Sequence, residues 1–219
     1  MDTLDQPSVR AVLDREHQAA QAQRTARAAA SSAPAPRVRR DFREAEFFQH
    51  RYLAVGPGEG ALLYMLARTA GARNIVEFGS SFGISTLYLA AAAEENDGRV
   101  IGSEYYENKR DHALSNLEDA GLAHRVEIRL GDALETLADV PDAVDLVFLD
   151  GDKSLYWPVL ELLRPQLIDG AVIVADNLDH FDDDPENFRS RILAQPERYT
   201  SRVVRLGKGE ISISRYRRD

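Results

Sequence analysis

The amino-acid sequence predicts an α/β fold: a doubly wound, mostly parallel sheet with helices on both faces. Three observations predict it. From residue 74 onward, apolar runs of strand length alternate with segments of helix length. Those runs are continuously apolar, as strands buried on both faces must be. Near the end the rhythm breaks, and two alternating runs flank Leu206-Gly207-Lys208-Gly209, which reads as an antiparallel hairpin.

The elements follow in order. Residues 8–30 are rich in Ala, Gln and Arg, good helix formers with a thin apolar stripe. Pro34 and Pro36 then break the helix. Residues 1–40 therefore read as an N-terminal helical extension, and 41–219 as the main domain. An Ala-rich helix without a core of its own needs a surface to pack on, which favours a homodimer over a mobile arm. Residues 41–51 suggest a short helix, and the VGPGEG turn leads into a helix over ALLYMLARTAG. The expected strands are NIVEF, RVIGSE, RVEIRL, AVDLVFLD and AVIVAD. Between them lie helices over STLYLAAAAEEN, ENKRDHALSNLEDAG and DKSLYWPVLELLRP, and a further helix is expected over 185–193.

Composition narrows the function. A chain of 219 residues, 44% hydrophobic, is ample for one α/β core. It has no cysteine, which excludes disulfides, zinc–thiolate sites and cysteine nucleophiles. The net charge of −9 makes nucleic acid an unfavourable partner. No apolar run has the length of a membrane span, and the first residues lack the apolar core of a secretory signal, so a cytoplasmic protein is expected.

In an open parallel sheet, ligands bind at the carboxyl ends of the strands, and the polar residues of this chain gather there. The first strand ends in Glu77-Phe78-Gly79-Ser80-Ser81-Phe82-Gly83-Ile84-Ser85. Gly79 permits a tight turn and Gly83 a close approach to a ligand or the strand. Ser81 stands where dinucleotide enzymes carry a middle glycine, which tilts the reading toward a nucleoside without pyrophosphate. Glu104, ending the second strand, either accepts from ribose hydroxyls or caps a helix. Asp132, after the third, either accepts from the adenine amine or caps the next helix.

Asp150 ends the fourth strand and Asp176-Asn177 the fifth. Two carboxylates and an amide oxygen on one rim form an all-oxygen set suited to Mg2+ or another divalent cation. Lys153, three residues past Asp150, brings an amine back to that rim, either as a general base or as a surface lysine. His180 either lines the mouth of the site or is a loop residue. Tyr156 and Trp157 read as core, and no G-x-S-x-G hydrolase turn is present.

From about Val55 to the C-terminus, these motifs resemble the cation-dependent S-adenosylmethionine O-methyltransferases of the catechol and caffeoyl-coenzyme A type. The resemblance lies in VEFGSSFGISTLYLA, LDGDKSLYWP and VADN. It implies a Rossmann-like sheet of seven strands with the last antiparallel, and an S-adenosylmethionine-dependent methyltransferase domain over 41–219. It implies that Glu77, Gly79 and Ser85 hold the methionine part of the cofactor, with Val55 adding a backbone contact. Glu104 would bind the ribose, and Ala133 beside Asp132 the adenine. Asp150, beside the cofactor, would join Asp176 and Asn177 on the metal. Lys153 would be the base, and Lys153, Asn177 and His180 would face a vicinal dihydroxy phenolic substrate. Gly151-Asp152 departs from the bulkier residues of the catechol branch, and no substrate-gripping acid is found near Arg202-Val203. The alternatives are an RNA methyltransferase acting on a hydroxylated tRNA base, an NAD-dependent dehydrogenase and a non-catalytic cofactor-binding module.

Overall fold

The computed structural model describes residues 2–30, 42–43, 46–206 and 209–218. The apolar runs form β1 (Asn74–Phe78), β2 (Arg99–Glu104), β3 (Val126–Leu130), β4 (Val144–Leu149) and β5 (Leu167–Ala175). The terminal hairpin supplies β6 (Tyr199–Leu206) and β7 (Gly209–Tyr216), whose tip at 207–208 lies outside the described residues. One sheet runs β3-β2-β1-β4-β5-β7-β6. Its β7 is antiparallel to both β5 and β6, while the remaining pairs are parallel.

The helices are α1 (Pro7–Ala30), α2 (Glu46–Gln49), α3 (Pro57–Ala70), α4 (Ile84–Asn96), α5 (Glu107–Ala120), α6 (Ala133–Thr136), α7 (Tyr156–Leu163) and α8 (Phe188–Leu193). The proline break at 31–36 and the boundary at 40/41 lie outside the described residues. Of the helix expected over 41–51, the described part holds the single turn α2. Strand β5 is longer than AVIVAD suggests, because it continues back through Gly170 at φ +87°. Its pairing with β4 shifts register between Val144 and Leu146.

Two apolar cores cover the two faces of the sheet. One gathers buried residues of α1, α3, α4 and α5, and the other those of α6, α7 and α8. Helix α4 is buried on all sides of its first ten residues, where Ala90, Ala91, Ala92 and Ala93 let neighbouring elements approach closely. Helix α1 finds packing partners within its own chain. Val9, Val12, Leu13 and Ala20 are buried in the core shared with α4 and α5. Glu16, only 2% exposed, accepts from Tyr52 Oη at 2.8 Å and pairs with His112 Nε2 at 3.0 Å. The second half of α1 is largely exposed.

Candidate active site

Strand pairing sets the geometry of the site. Phe78 aligns with Ser103 on one side and Leu149 on the other, and Leu149 aligns with Ala175. The residues that follow each strand therefore emerge on one rim. A cavity of about 390 Å3 opens there, and Gly79, Glu104, Ala133, Asp150, Lys153, Asn177 and His180 line it. A larger open groove of about 800 Å3 runs along α1, away from the strand ends, and holds none of the expected site residues.

The turn after β1 is tied from beneath. Glu77 is fully buried, and its carboxylate accepts from Ser85 Oγ at 2.6 Å, Ser80 Oγ at 2.7 Å and Thr86 Oγ1 at 2.5 Å. Burial pushes its pKa up, and the three hydroxyls pull against that rise. Glu77, Ser85 and Val55 are buried and do not line this cavity. Gly79 has φ +96°, and a Cβ there would meet Asp150 O and Gly151 at 2.8 Å. Only glycine lets the β1 turn lie against the β4 turn. Gly83 approaches helix α5, where its Cβ would sit 2.8 Å from Ala113 Cβ; the close approach is to a helix, not to a ligand or strand.

Glu104 is 7% exposed. Its two oxygens accept from Ser81 N at 2.7 Å and Tyr106 N at 2.9 Å, which fixes the carboxylate at the cavity edge. Asp132 does what a cap does: Oδ1 accepts from Leu134 N at 3.0 Å. Its Oδ2 pairs with Arg43 Nη2 at 2.5 Å, and it does not line the cavity, whereas Ala133 does.

Asp150 and Asp176 end neighbouring strands, and Asp176 N donates to Leu149 O at 3.0 Å. Burial pushes the Asp150 carboxyl up to about 8, against the pull of Lys153 and with a further push from Asp176. Burial also raises Asp176, with the Glu59 carboxylate of α3 adding to it against a hydrogen bond from Asn177 N. Asn177 is left-handed at φ +58°, a conformation its short amide tolerates, and its N–H donates to Asp176 Oδ1 at 2.7 Å. Among the described residues, no cluster of three or more acidic or histidine side chains is arranged to hold a metal.

Lys153 opens a one-turn 3-10 helix capped by Asp152, whose Oδ1 accepts from Ser154 N at 2.9 Å. Its Nζ lies 3.4 Å from Asp150 Oδ1 and donates to Tyr156 Oη at 2.5 Å. Tyr156 Oη in turn donates to Asp176 O at 3.2 Å. The buried tyrosine, core as expected, thus also holds the amine toward the acidic turns. Gly151 packs on Phe78, whose ring carbon would lie 2.4 Å from an added Cβ. The bulk absent at 151 is supplied at 78.

Several lining residues escaped the sequence reading. Arg51 and Leu53 come from the segment before α3, Tyr105 and Tyr106 follow Glu104, and Lys109 reaches in from α5. Phe42 also lines the cavity, and its backbone carbonyl accepts from Tyr106 Oη.

Residues 29–198 match the profile of the O-methyltransferase family. The chain belongs to this family. Among O-methyltransferases, the catechol O-methyltransferase of Niastella koreensis is 37% identical over 135 residues, which cover 58% of this chain and 58% of that protein. The chain thus spans less than two thirds of that relative's length. The crystal structure of the O-methyltransferase from Bacillus cereus in complex with SAH superposes with a TM-score of 0.65 at 30% identity, covering 75% of this chain and 83% of that one. Cofactor-bound Rv0187 from MTB superposes at 0.69 with 28% identity, covering 98% and 92%. In the described residues, no helix is long and apolar enough to cross a membrane.

Proposed function

We propose that the protein is an S-adenosylmethionine- and Mg2+-dependent O-methyltransferase that methylates one hydroxyl of a vicinal dihydroxy aromatic small molecule. One observation carries the reading: Glu104 and the Gly79 turn share a single cavity with Asp150, Lys153 and Asn177. The relatives support it, since one is named a catechol O-methyltransferase and another was solved with SAH.

Glu104, already fixed by two backbone N–H groups, presents its remaining lone pairs to the ribose. Ala133, placed by the Asp132 cap, faces the adenine. The turn at Gly79 receives the methionine part, with Val55 behind it, and Glu77 and Ser85 act on it by holding that turn rigid. S-adenosylmethionine supplies an electrophilic methyl group.

Asp150, Asp176 and Asn177 would hold Mg2+ or another divalent cation. The residues fit such an ion: two buried carboxylates, both pushed toward neutrality, end neighbouring strands on one rim, with Lys153 close to them and Lys109 also interacting with Asp150. When bound, the ion supplies Lewis acidity that makes substrate hydroxyls easier to ionise. Lys153, held by Tyr156, takes the hydroxyl proton at Nζ. Asn177 and His180 border the substrate side of the cavity. Alignment of the oxygen with the methyl group supplies much of the rate. The same proposal includes a homodimer.

A labelled-methyl screen tests the reading, with catechols, caffeoyl thioesters and polyketide-like phenols each assayed in Mg2+ and in EDTA. Transfer to a vicinal diol in Mg2+ alone is expected. Transfer that ignores EDTA, or that needs only one hydroxyl, would overturn it.

A further inference from the structure

Lys109 sits in the first turn of α5 and is only 3% exposed. Among the described residues its ammonium has one hydrogen-bond acceptor, Ser81 Oγ at 3.3 Å. The rings of Phe82 and Tyr106 flank it, with centroids 5.2 and 5.8 Å away. A lysine ammonium carries three donors, and burying it with donors unused is costly. Lysines usually avoid this by extending their stems to reach water. This one instead folds inward to the cavity wall. Burial lowers its pKa, Glu104 supports its charge and Arg51 opposes it. Arg51 lines the same cavity, so an anion placed between the two cations would relieve their repulsion and complete the unused donors.

The ribose and the adenine of the cofactor already have counterparts. Glu104 faces the ribose, and the β3 end with Ala133 faces the adenine. The one anionic group of S-adenosylmethionine is the carboxylate of its methionine part. It must enter a cavity that already holds Glu104 and Asp150. Lys153 is engaged with Asp150 and Tyr156. Lys109 is the lysine that touches the 79–83 turn, through Ser81.

We infer that Lys109 is a cofactor-binding residue that donates to the methionine carboxylate of S-adenosylmethionine. The inference rests on the cofactor part of the proposed function and is independent of the metal and of the methyl acceptor.

Isothermal titration of the wild type and Lys109→Met tests it, with two probes. S-adenosylhomocysteine keeps the carboxylate. 5'-Methylthioadenosine keeps the adenine, ribose and sulfur but lacks the amino-acid end. A charge-assisted hydrogen bond lost from a buried site predicts affinity for S-adenosylhomocysteine falling roughly 10- to 100-fold. Affinity for 5'-methylthioadenosine should change less than about threefold, because that probe never had the contact. The ligand-free variant should melt no lower than wild type, since it no longer buries a charge. Equal losses for both probes, or no loss for S-adenosylhomocysteine, would overturn the assignment. So would a lower melting temperature with both affinities following it down, the mark of a purely structural lysine. Should Lys109→Met not fold, Lys109→Gln is read by the same criteria. A wild type that binds neither probe would instead sink the cofactor reading.

Discussion

Replacing Asp150 with asparagine should stabilise the metal-free protein at pH 8 and remove its response to Mg2+. In the folded chain, burial lifts this carboxyl from an ordinary 3.8 to about 8, with Lys153 opposing and Asp176 adding to the rise. Across that window the folded state holds a proton that the unfolded chain has released. Stability contributed by this group is therefore present at low pH and lost as pH rises toward the folded pKa. Each pKa unit corresponds to about 1.4 kcal/mol, so a rise of roughly four units amounts to roughly 5 kcal/mol. Asparagine keeps the shape and removes the titration. The contact it gives up, to Lys153 Nζ at 3.4 Å, is long, and Lys153 retains Tyr156. At about 2–4 °C per kcal/mol for a domain of this size, the variant should melt on the order of 10 °C higher than wild type at pH 8 in EDTA. The gap should narrow as pH falls and close only near the unfolded-chain value of 3.8, leaving about 1–2 kcal/mol of it at pH 5. Mg2+ should raise the wild-type melting temperature more at pH 8 than at pH 6, because it binds the ionised pair, and should leave Asp150→Asn unmoved. Thermal unfolding followed by intrinsic fluorescence reads all of this. A variant that melts below wild type at pH 8 in EDTA, or that still gains from Mg2+, would refute the reasoning.

Three further outcomes are expected. Lys153→Ala should lower kcat by roughly 10²–10⁴-fold, the usual worth of a positioned base, while titration shows unchanged affinity for S-adenosylhomocysteine. Tyr156→Phe removes the group that holds Nζ and should cut kcat by roughly tenfold or more with KM little altered, measured by steady-state kinetics. Gly79→Ala places a Cβ 2.8 Å from the backbone at Asp150 and Gly151 at φ +96°. It should cost about 1–3 kcal/mol in urea unfolding and abolish cofactor binding.

The parts of the fold that were legible in the sequence are those that local pattern determines. Four strands announced themselves because both faces are buried, while the edge strand β3 buries only Ile128, and the polar residues after the runs marked the rim where the cavity lies. Asp150, Asn177 and Lys153 were readable because each sits within four residues of a strand end. The first half of β5 was not readable, because Asp169-Gly170 looks like a turn and is instead an irregularity within a strand. Lys109 was hidden for a different reason. In ENKRDHALSNLEDAG one more cation reads as solvent face, and only the tertiary approach of the 79–83 turn buries it. Arg51 and Leu53 belong to an aperiodic segment, so no periodicity pointed to them. The departure at Gly151 reads as a loss in the sequence, yet the ring of Phe78 occupies that space.

The acid at position 16 has a reach beyond its own helix. It fastens Tyr52, whose ring lies 4.4 Å from that of Phe82 in the glycine turn, and His112, which meets the Phe82 ring edge-on at 5.1 Å. The opening helix is thereby a buttress for the pocket it never touches. Transplanting the N-terminus of another family member onto this chain would require carrying Glu16 along with its tyrosine and histidine as one inheritable unit, even where the outward face of the helix is free to drift.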